Sequence, residues 1–309
     1  MIGTVAVTDY DRYGFLLARS PSEVNFWRPS DRHVFHAPEF SPFLFKLKAP
    51  YNVICGFGYF ARWSSLPEWL AWDCFGEGNG CRNLAEMRQR IREIRRRIHY
   101  VETGTLSNIG CILLVQPTFF APDDWIPQPS DWPPRTVSSK RFDLAVGEGR
   151  RVWETCQERA AGLRSRVVPG QIAEPGARYG TPRVVAPRLG QGTFRVAVTE
   201  AYGRACAVTG EHSLPALDAA HIRSYTDEGP HEVRNGLLLR ADLHRLFDQG
   251  YVTVTADQRF EVSERLRKDY SNGRSHYPLH GAKLQVPVGS AEQPAQEYVR
   301  WHNEHVYLG

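Results

Sequence analysis

The sequence predicts an α+β protein in two parts, on three observations. Its 309 residues exceed one ordinary domain and suit two. A seam at 166–192, RVVPGQIAEPGARYGTPRVVAPRLGQG, holds four prolines and five glycines without a sustained apolar period, so it reads as a linker. Strand-like and helix-like periodicities occur on both sides of it. The expected division is therefore 1–165, a linker over 166–192, and 193–309.

In the first part, TVAVT (4–8) is a strand candidate and residues 11–18 a helix. PFLFKLKAP (42–50) and NVICGFGYFARW (52–63) read as a strand pair turning at Ala49, Pro50, Tyr51 and Asn52. In LAEMRQRIREIRRRIHY (84–100), Met87, Ile91, Ile94 and Ile98 fall at helical spacing. Seven arginines lie between Arg82 and Arg97. A solvated helix face and a DNA-backbone contact both account for them. CILLVQPTFF (111–120) is a buried strand ending near Pro117. FAPDDWIPQPSDWPPR (120–135), with five prolines, is expected as a loop packed by its own two tryptophans.

In the second part, TFRVAVTEAYG suggests a helix ending near Gly203. ALDAAHI reads as a strand, ADLHRLFDQG as a short helix stopped by Gly250, and YVTVT as a strand.

Composition excludes several classes. Hydrophobic residues make up 42% and charged residues 23%, as in globular proteins. No apolar run approaches the ~20 residues that span a bilayer. MIGTVAVTDYDRYGF lacks a basic flank or a small-residue cleavage site, so a cytoplasmic protein is expected, with no membrane partner. The six cysteines are scattered without a C-x-x-C pair, which argues against a four-cysteine zinc site and for buried free thiols. Net charge is +6 over 1–192 and −2 over 193–309. The basic excess is compatible with nucleic acid without demanding it.

The chemistry is concentrated between residues 217 and 254. There His221, Asn235, His244 and Asp248 interrupt an apolar frame. On a strand, Asp218 and Ala220 share one face and His221 takes the other, although twist or a bulge would let Asp218 and His221 flank one site. His244 and Asp248, four residues apart, share a helical face. Phosphodiester hydrolysis uses such a set. Histidine takes a proton from water near neutral pH, and a divalent cation, Mg²⁺ or Mn²⁺, suits oxygen and imidazole ligands. Each residue has a structural reading by itself. A core histidine is more often a satisfied packing group, an Asn before Gly is usually a turn, and Asp248 would close a helix.

Together, CAVTG (206–210), AAHI (219–222), NGLLL (235–239) and HRLFD (244–248) resemble the HNH nuclease family, in particular its bacterial restriction-endonuclease branch. RLGQGTFR (188–195) and RWHNEHV (300–306) extend the resemblance over roughly 186–309. It implies a ββα-metal fold in which His221 is the general base, Asn235 holds the loop and His244 binds metal. Many members carry a metal-binding carboxylate immediately before the base, where this chain has Ala220. Asp218 and Asp248 are the substitutes, singly or together.

The first part resembles, less specifically, an EVE-type domain of the superfamily that includes PUA, YTH and SRA modules. The resemblance rests on its early strand, its NFWRPS segment and NVICGFGYFARW. It implies a β-barrel-type module that binds a modified base. A flipped base is held by aromatic faces and read at its polar edge. Trp27, Tyr59 and Trp63 are the cage candidates, and Asp9 and Asn25 the edge readers, each against a core-packing alternative. The resulting expectation is a modification-dependent endonuclease acting on double-stranded DNA that carries a modified cytosine such as 5-methylcytosine. One such site per chain, cutting both strands, favours a homodimer. Two alternatives stay open. One is a nuclease that reads unmodified sequence or another mark, such as backbone phosphorothioate. The other is a non-cleaving reader with a remnant nuclease module.

Overall fold

Strand β1 (Ile2–Thr8) pairs in parallel with β3 (Pro42–Leu47), and on its other side antiparallel with β7 (Ser139–Asp143). These coordinates are a computed structural model that describes residues 1–101, 107–134, 136, 138–167 and 189–309. The chain forms two compact units, Met1–Pro187 and Arg188–Gly309, and is mixed α+β. Most of the seam at 166–192 lies outside the described residues. Its ends are taken up by helices α4 (Gly147–Val167) and α5 (Gln191–Ala201).

The first unit is built on a seven-stranded sheet of order β2-β5-β4-β3-β1-β7. Here β2 is Glu23–Arg28, β4 is Val53–Pro67 and β5 is Asn108–Phe119, while the short β6 (Ile126–Pro127) pairs with the start of β4. Both faces are covered, which is why β3 opens on the apolar run PFLF before Lys46. Ala6, Phe43 and Phe45 pack with Tyr13 and Leu16 of helix α1 (Tyr10–Arg19). Val5 and Leu44, from the opposite face, pack with Val152, Trp153 and Cys156 of α4. The 15-residue β4 is bulged against β5. A Cβ at Gly56 would lie 2.3 Å from the Thr118 carbonyl, so only glycine permits that crossing.

Several expectations are corrected here. Strand β5 continues past Pro117 to Phe119, because Gln116 and Pro117 fall in the bulge, where no ladder N–H is needed. Trp27 lies within β2. The proline-rich stretch is not packed by its own aromatics. Trp125 packs on Tyr13 and Tyr51, and Trp132 stacks on Phe142. All six cysteines are free thiols, five of them buried, and burial pushes the Cys111 thiol up to about 12. No helix among the described residues is long and apolar enough to cross a membrane.

The second unit follows the order read from its sequence. Strand β8 (Leu217–His221) pairs antiparallel with β9 (Gly236–Arg240), with His221 opposite Gly236. Helix α6 (Ala241–Asp248) follows at once, then the hairpin β10 (Val252–Val254) and β11 (Phe260–Val262). Helices α7 (Arg265–Tyr270) and α8 (Gln296–His305) complete it. Leu217, Ala220, Leu237, Leu239, Leu243 and Phe247 share one buried core with Phe194 and Val198 of α5. That core fixes the faces of β8 and α6 that carry the polar groups.

Candidate active site

Helix α6 buries Leu243 and Phe247, an i,i+4 pair, and thereby presents His244 and Asp248 on the adjoining stripe. His244 is only one-quarter exposed and stands between two carboxylates. Its Nδ1 lies 3.5 Å from Oδ2 of Asp218 on β8, and its Nε2 lies 3.3 Å from Oδ2 of Asp248. Both aspartates flank the same imidazole. Asp248 is held above the usual carboxylate range by burial and then by the charge of Asp218, against the opposing pull of His244.

Among the described residues, no three His, Cys, Asp or Glu side chains are arranged as a metal-holding group. His244 has both ring nitrogens turned to carboxylates, which is ion-pair geometry. The donor set nonetheless fits a hard divalent cation, with two carboxylates and one imidazole gathered at a partly exposed point. The mutual repulsion of Asp218 and Asp248 is what a cation there would relieve.

His221 ends β8. Its ring stacks on Phe194 of α5 at 3.9 Å and 12°. Burial, followed by the charges of His231 and His244, pushes its pKa down to about 4, so the ring is neutral at pH 7. Its Nε2 lies 2.9 Å from Nδ1 of His231. Asn235 is fully buried and closes the intervening loop from inside. Its Oδ1 accepts from the Arg223 N–H at 2.8 Å, and its Nδ2 donates to the carbonyls of Arg223 and Pro230 at 2.9 and 3.0 Å. This is not an Asn-Gly hairpin turn, because Gly236 is extended at φ −126°.

Sequence reasoning passed over His231, Tyr225 and Phe194. His231 sits in a loop without periodicity, and only its place ten residues after His221 marked it. Phe194 was visible inside RLGQGTFR, but as a helix residue and not as the surface under His221.

The five base-pocket candidates do not converge. The carboxylate of Asp9 caps α1, accepting from the Arg12 N–H at 2.9 Å. Asn25 and Trp27 are brought together through Asn79. Asn25 Nδ2 donates to Asn79 Oδ1, and Trp27 Nε1 donates to the Asn79 carbonyl, both at 2.9 Å. Tyr59 packs with Phe57 and Trp153 on the α4 side, whereas Trp63 packs on the α1 side. The register shift between Phe60 and Arg62 in β4 parts these two residues. Among the described residues of this unit, five buried side-chain polar atoms lack a hydrogen-bond partner: Arg12 Nε, Asn25 Oδ1, Trp63 Nε1, Asn108 Oδ1 and Gln128 Oε1.

The arginines of helix α3 (Leu84–Arg97) also divide. Arg82 and Arg90 pair with Glu86, and Arg88 with Glu68. Arg95 is buried, bonding the carbonyls of Pro29 and Asn108. Arg92, Arg96 and Arg97 face solvent.

Residues 206–255 match the HNH_2 family, described as HNH endonuclease. That segment spans β8, β9, α6 and β10 and holds all five candidate residues of the second unit. Among curated proteins nothing matches. Among solved structures, the ASCH protein from Zymomonas mobilis is similar at 14% identity and a TM-score of 0.32, covering 49% of this chain and 94% of that one. A modification-dependent restriction endonuclease, TagI, is similar at 13% identity and a TM-score of 0.26, covering 87% of this chain and 62% of that one. This chain therefore spans less than two thirds of TagI, and likenesses this weak carry no argument about activity.

Proposed function

We propose that the chain is a modification-dependent DNA endonuclease. The observation that carries this reading is a His244 flanked by Asp218 and Asp248 and within electrostatic reach of His221, in a segment matching HNH endonucleases. In this reading 193–309 is the nuclease domain, of ββα-metal type, and 1–165 a reader of EVE-like, barrel-type architecture, joined by 166–192. His221, kept neutral by burial, takes the proton of the attacking water. Asn235 holds the loop that follows the base. Asp218, His244 and Asp248 hold the divalent cation, Mg²⁺ or Mn²⁺. That ion supplies charge neutralisation at the phosphate and the departing oxygen.

The reader assignment is supported by the unpartnered Arg12 Nε and Asn25 Oδ1, in residues joined by the Arg12 Nη2–Asn25 carbonyl hydrogen bond, which the edge of a flipped base would satisfy. Asn25 and Trp27, already adjacent, are its first test positions, followed by Asp9, Tyr59 and Trp63. The proposed substrate is double-stranded DNA with modified cytosine. The proposal extends to a homodimer acting in the cytoplasm.

The test is a panel of duplexes identical in sequence and differing only in cytosine modification, incubated with Mg²⁺ or Mn²⁺. Cutting of the modified members alone is the expected result. Equal cutting of all members removes the reader and leaves the nuclease. One observation favours the second reading, a module that binds without cutting: the ion-pair geometry of His244. Absence of cutting with any metal, together with retained binding, would establish it.

A further inference from the structure

We propose that His231 is a positioning residue, which fixes the tautomer and orientation of the His221 ring by accepting its Nε2–H. The inference rests on the nuclease reading given above. Its first ground is the 2.9 Å separation of His221 Nε2 and His231 Nδ1. Two neutral imidazoles that share one hydrogen bond must divide the roles of donor and acceptor. If His231 donated, the lone pair of His221 Nε2 would be occupied and the ring's own proton would sit on Nδ1. No lone pair would then remain to take a proton from water. If His231 accepts, His221 carries its proton on Nε2 and keeps Nδ1 as its one basic nitrogen. His221 Nδ1 has no protein partner among the described residues, so it is the ring nitrogen left for the attacking water. The second arrangement is the one that leaves a base there.

The second ground is that His231 is held in place. The ring of Tyr225 stacks on it at 4.6 Å and 8°. Both of its chain neighbours are tied down. The Pro230 carbonyl accepts from Asn235 Nδ2, and the Glu232 carboxylate accepts from the Tyr298 hydroxyl of α8 at 2.6 Å. The same loop is secured by the Ala295 N–H donating to the Arg234 carbonyl, and by the Arg223 guanidinium lying over Trp301. With Phe194 beneath it, His221 is gripped on its flat face and at one edge. When His221 takes a proton, its Nε2–H bond to His231 becomes charge-assisted and strengthens at that moment. In this arrangement His231 takes the place that a carboxylate or backbone carbonyl takes behind other functional imidazoles.

Two measurements on the full chain test this. The first needs no cleavage. Histidine ¹⁵N spectra, with His221 assigned through its loss in His221→Gln, should show Nε2 protonated and Nδ1 not. His231→Ala should move His221 to an average of both tautomers. His231→Asn, whose carbonyl oxygen stands near the place of Nδ1, should keep the original form. A proton on Nδ1 in the unaltered protein, or no change in His231→Ala, overturns the proposal. The second measurement is cleavage of a duplex made with 5-methylcytosine in place of cytosine, in Mn²⁺. His231→Ala should lower kcat on the order of 10- to 100-fold at unchanged KM, and His231→Asn should restore most of it. A change confined to KM would make His231 a DNA contact, and equal loss in both variants would make it a structural residue. Either result rejects positioning. Should the unaltered protein cut no DNA while the spectra agree, the nuclease reading falls and the hydrogen bond stands.

Discussion

His302 shows what a histidine of the packing kind looks like in this chain. It is buried against Phe247, its Nε2–H donates to the Phe247 carbonyl at 3.1 Å, and its Nδ1 accepts from the Thr253 hydroxyl at 2.9 Å. Burial pushes its pKa down to about 4 from an ordinary value of 6.5. Between those values the unfolded chain binds a proton that the folded chain refuses. The stability from neutral His302 is therefore complete above pH 6.5 and lost as pH falls through 4. The loss amounts to about 3 kcal/mol. Urea unfolding of the second unit at pH 7 and pH 4.5 measures it, and His302→Gln should flatten the difference. His221 is depressed to a similar value but makes no such pair of satisfied bonds, so its variants should report on chemistry. His221→Ala is expected to abolish cleavage while DNA binding, read by gel shift, survives. Asn235 stands between these cases. Asn235→Ala would strand an N–H and two carbonyls in the loop, costing about 2–4 kcal/mol by chemical denaturation. Cleavage should be lost with it.

At the scale of elements, two close packings decide what can change. A Cβ at Gly236 would lie 2.4 Å from Val198 Cγ2 and 3.2 Å from the Phe194 ring. The backbone there is extended, so the conflict is purely one of space between β9 and α5. Gly236→Ala should cost about 1–3 kcal/mol. Because Phe194 also supports His221, cleavage should fall further than the stability loss alone explains. In α3 the sequence offers arginines that look equivalent and are not. Arg95→Ala leaves Glu68 and two carbonyls with a lost partner in a buried setting, at about 3 kcal/mol. Arg96→Ala, on the solvent side, should stay within about 0.5 kcal/mol. Thermal melts of the two variants separate a structural arginine from a surface one.

At the scale of the molecule, each unit has its own buried core. One is drawn from residues 194–299 and two from residues 5–160. A fragment over 189–309 is therefore expected to fold alone, and calorimetry of the full chain to show two transitions. The fragment should retain cleavage without preference for modified DNA. A fragment that remains unfolded by circular dichroism would refute the independence of the units.

The sequence by itself determined the order of strand, loop, helix and strand in the second unit, and left NGLLL (235–239) as a strand or a turn. It also determined the pairing of His244 with Asp248, because helical and extended periods are local rules that act over four residues or fewer. The buried strands were legible for the same reason. Tertiary structure alone decided that Asp218 and Asp248 both flank His244, since that depends on how α6 lies across β8. It alone placed His231 on His221, through a loop closed by Asn235 and secured by α8 some sixty residues later. It divided the α3 arginines into buried and exposed, sent Trp125 and Trp132 to partners elsewhere in the chain, and set Tyr59 and Trp63 apart through one bulge in β4. Each of these is a long-range packing outcome, for which residue type and spacing carry no local signal.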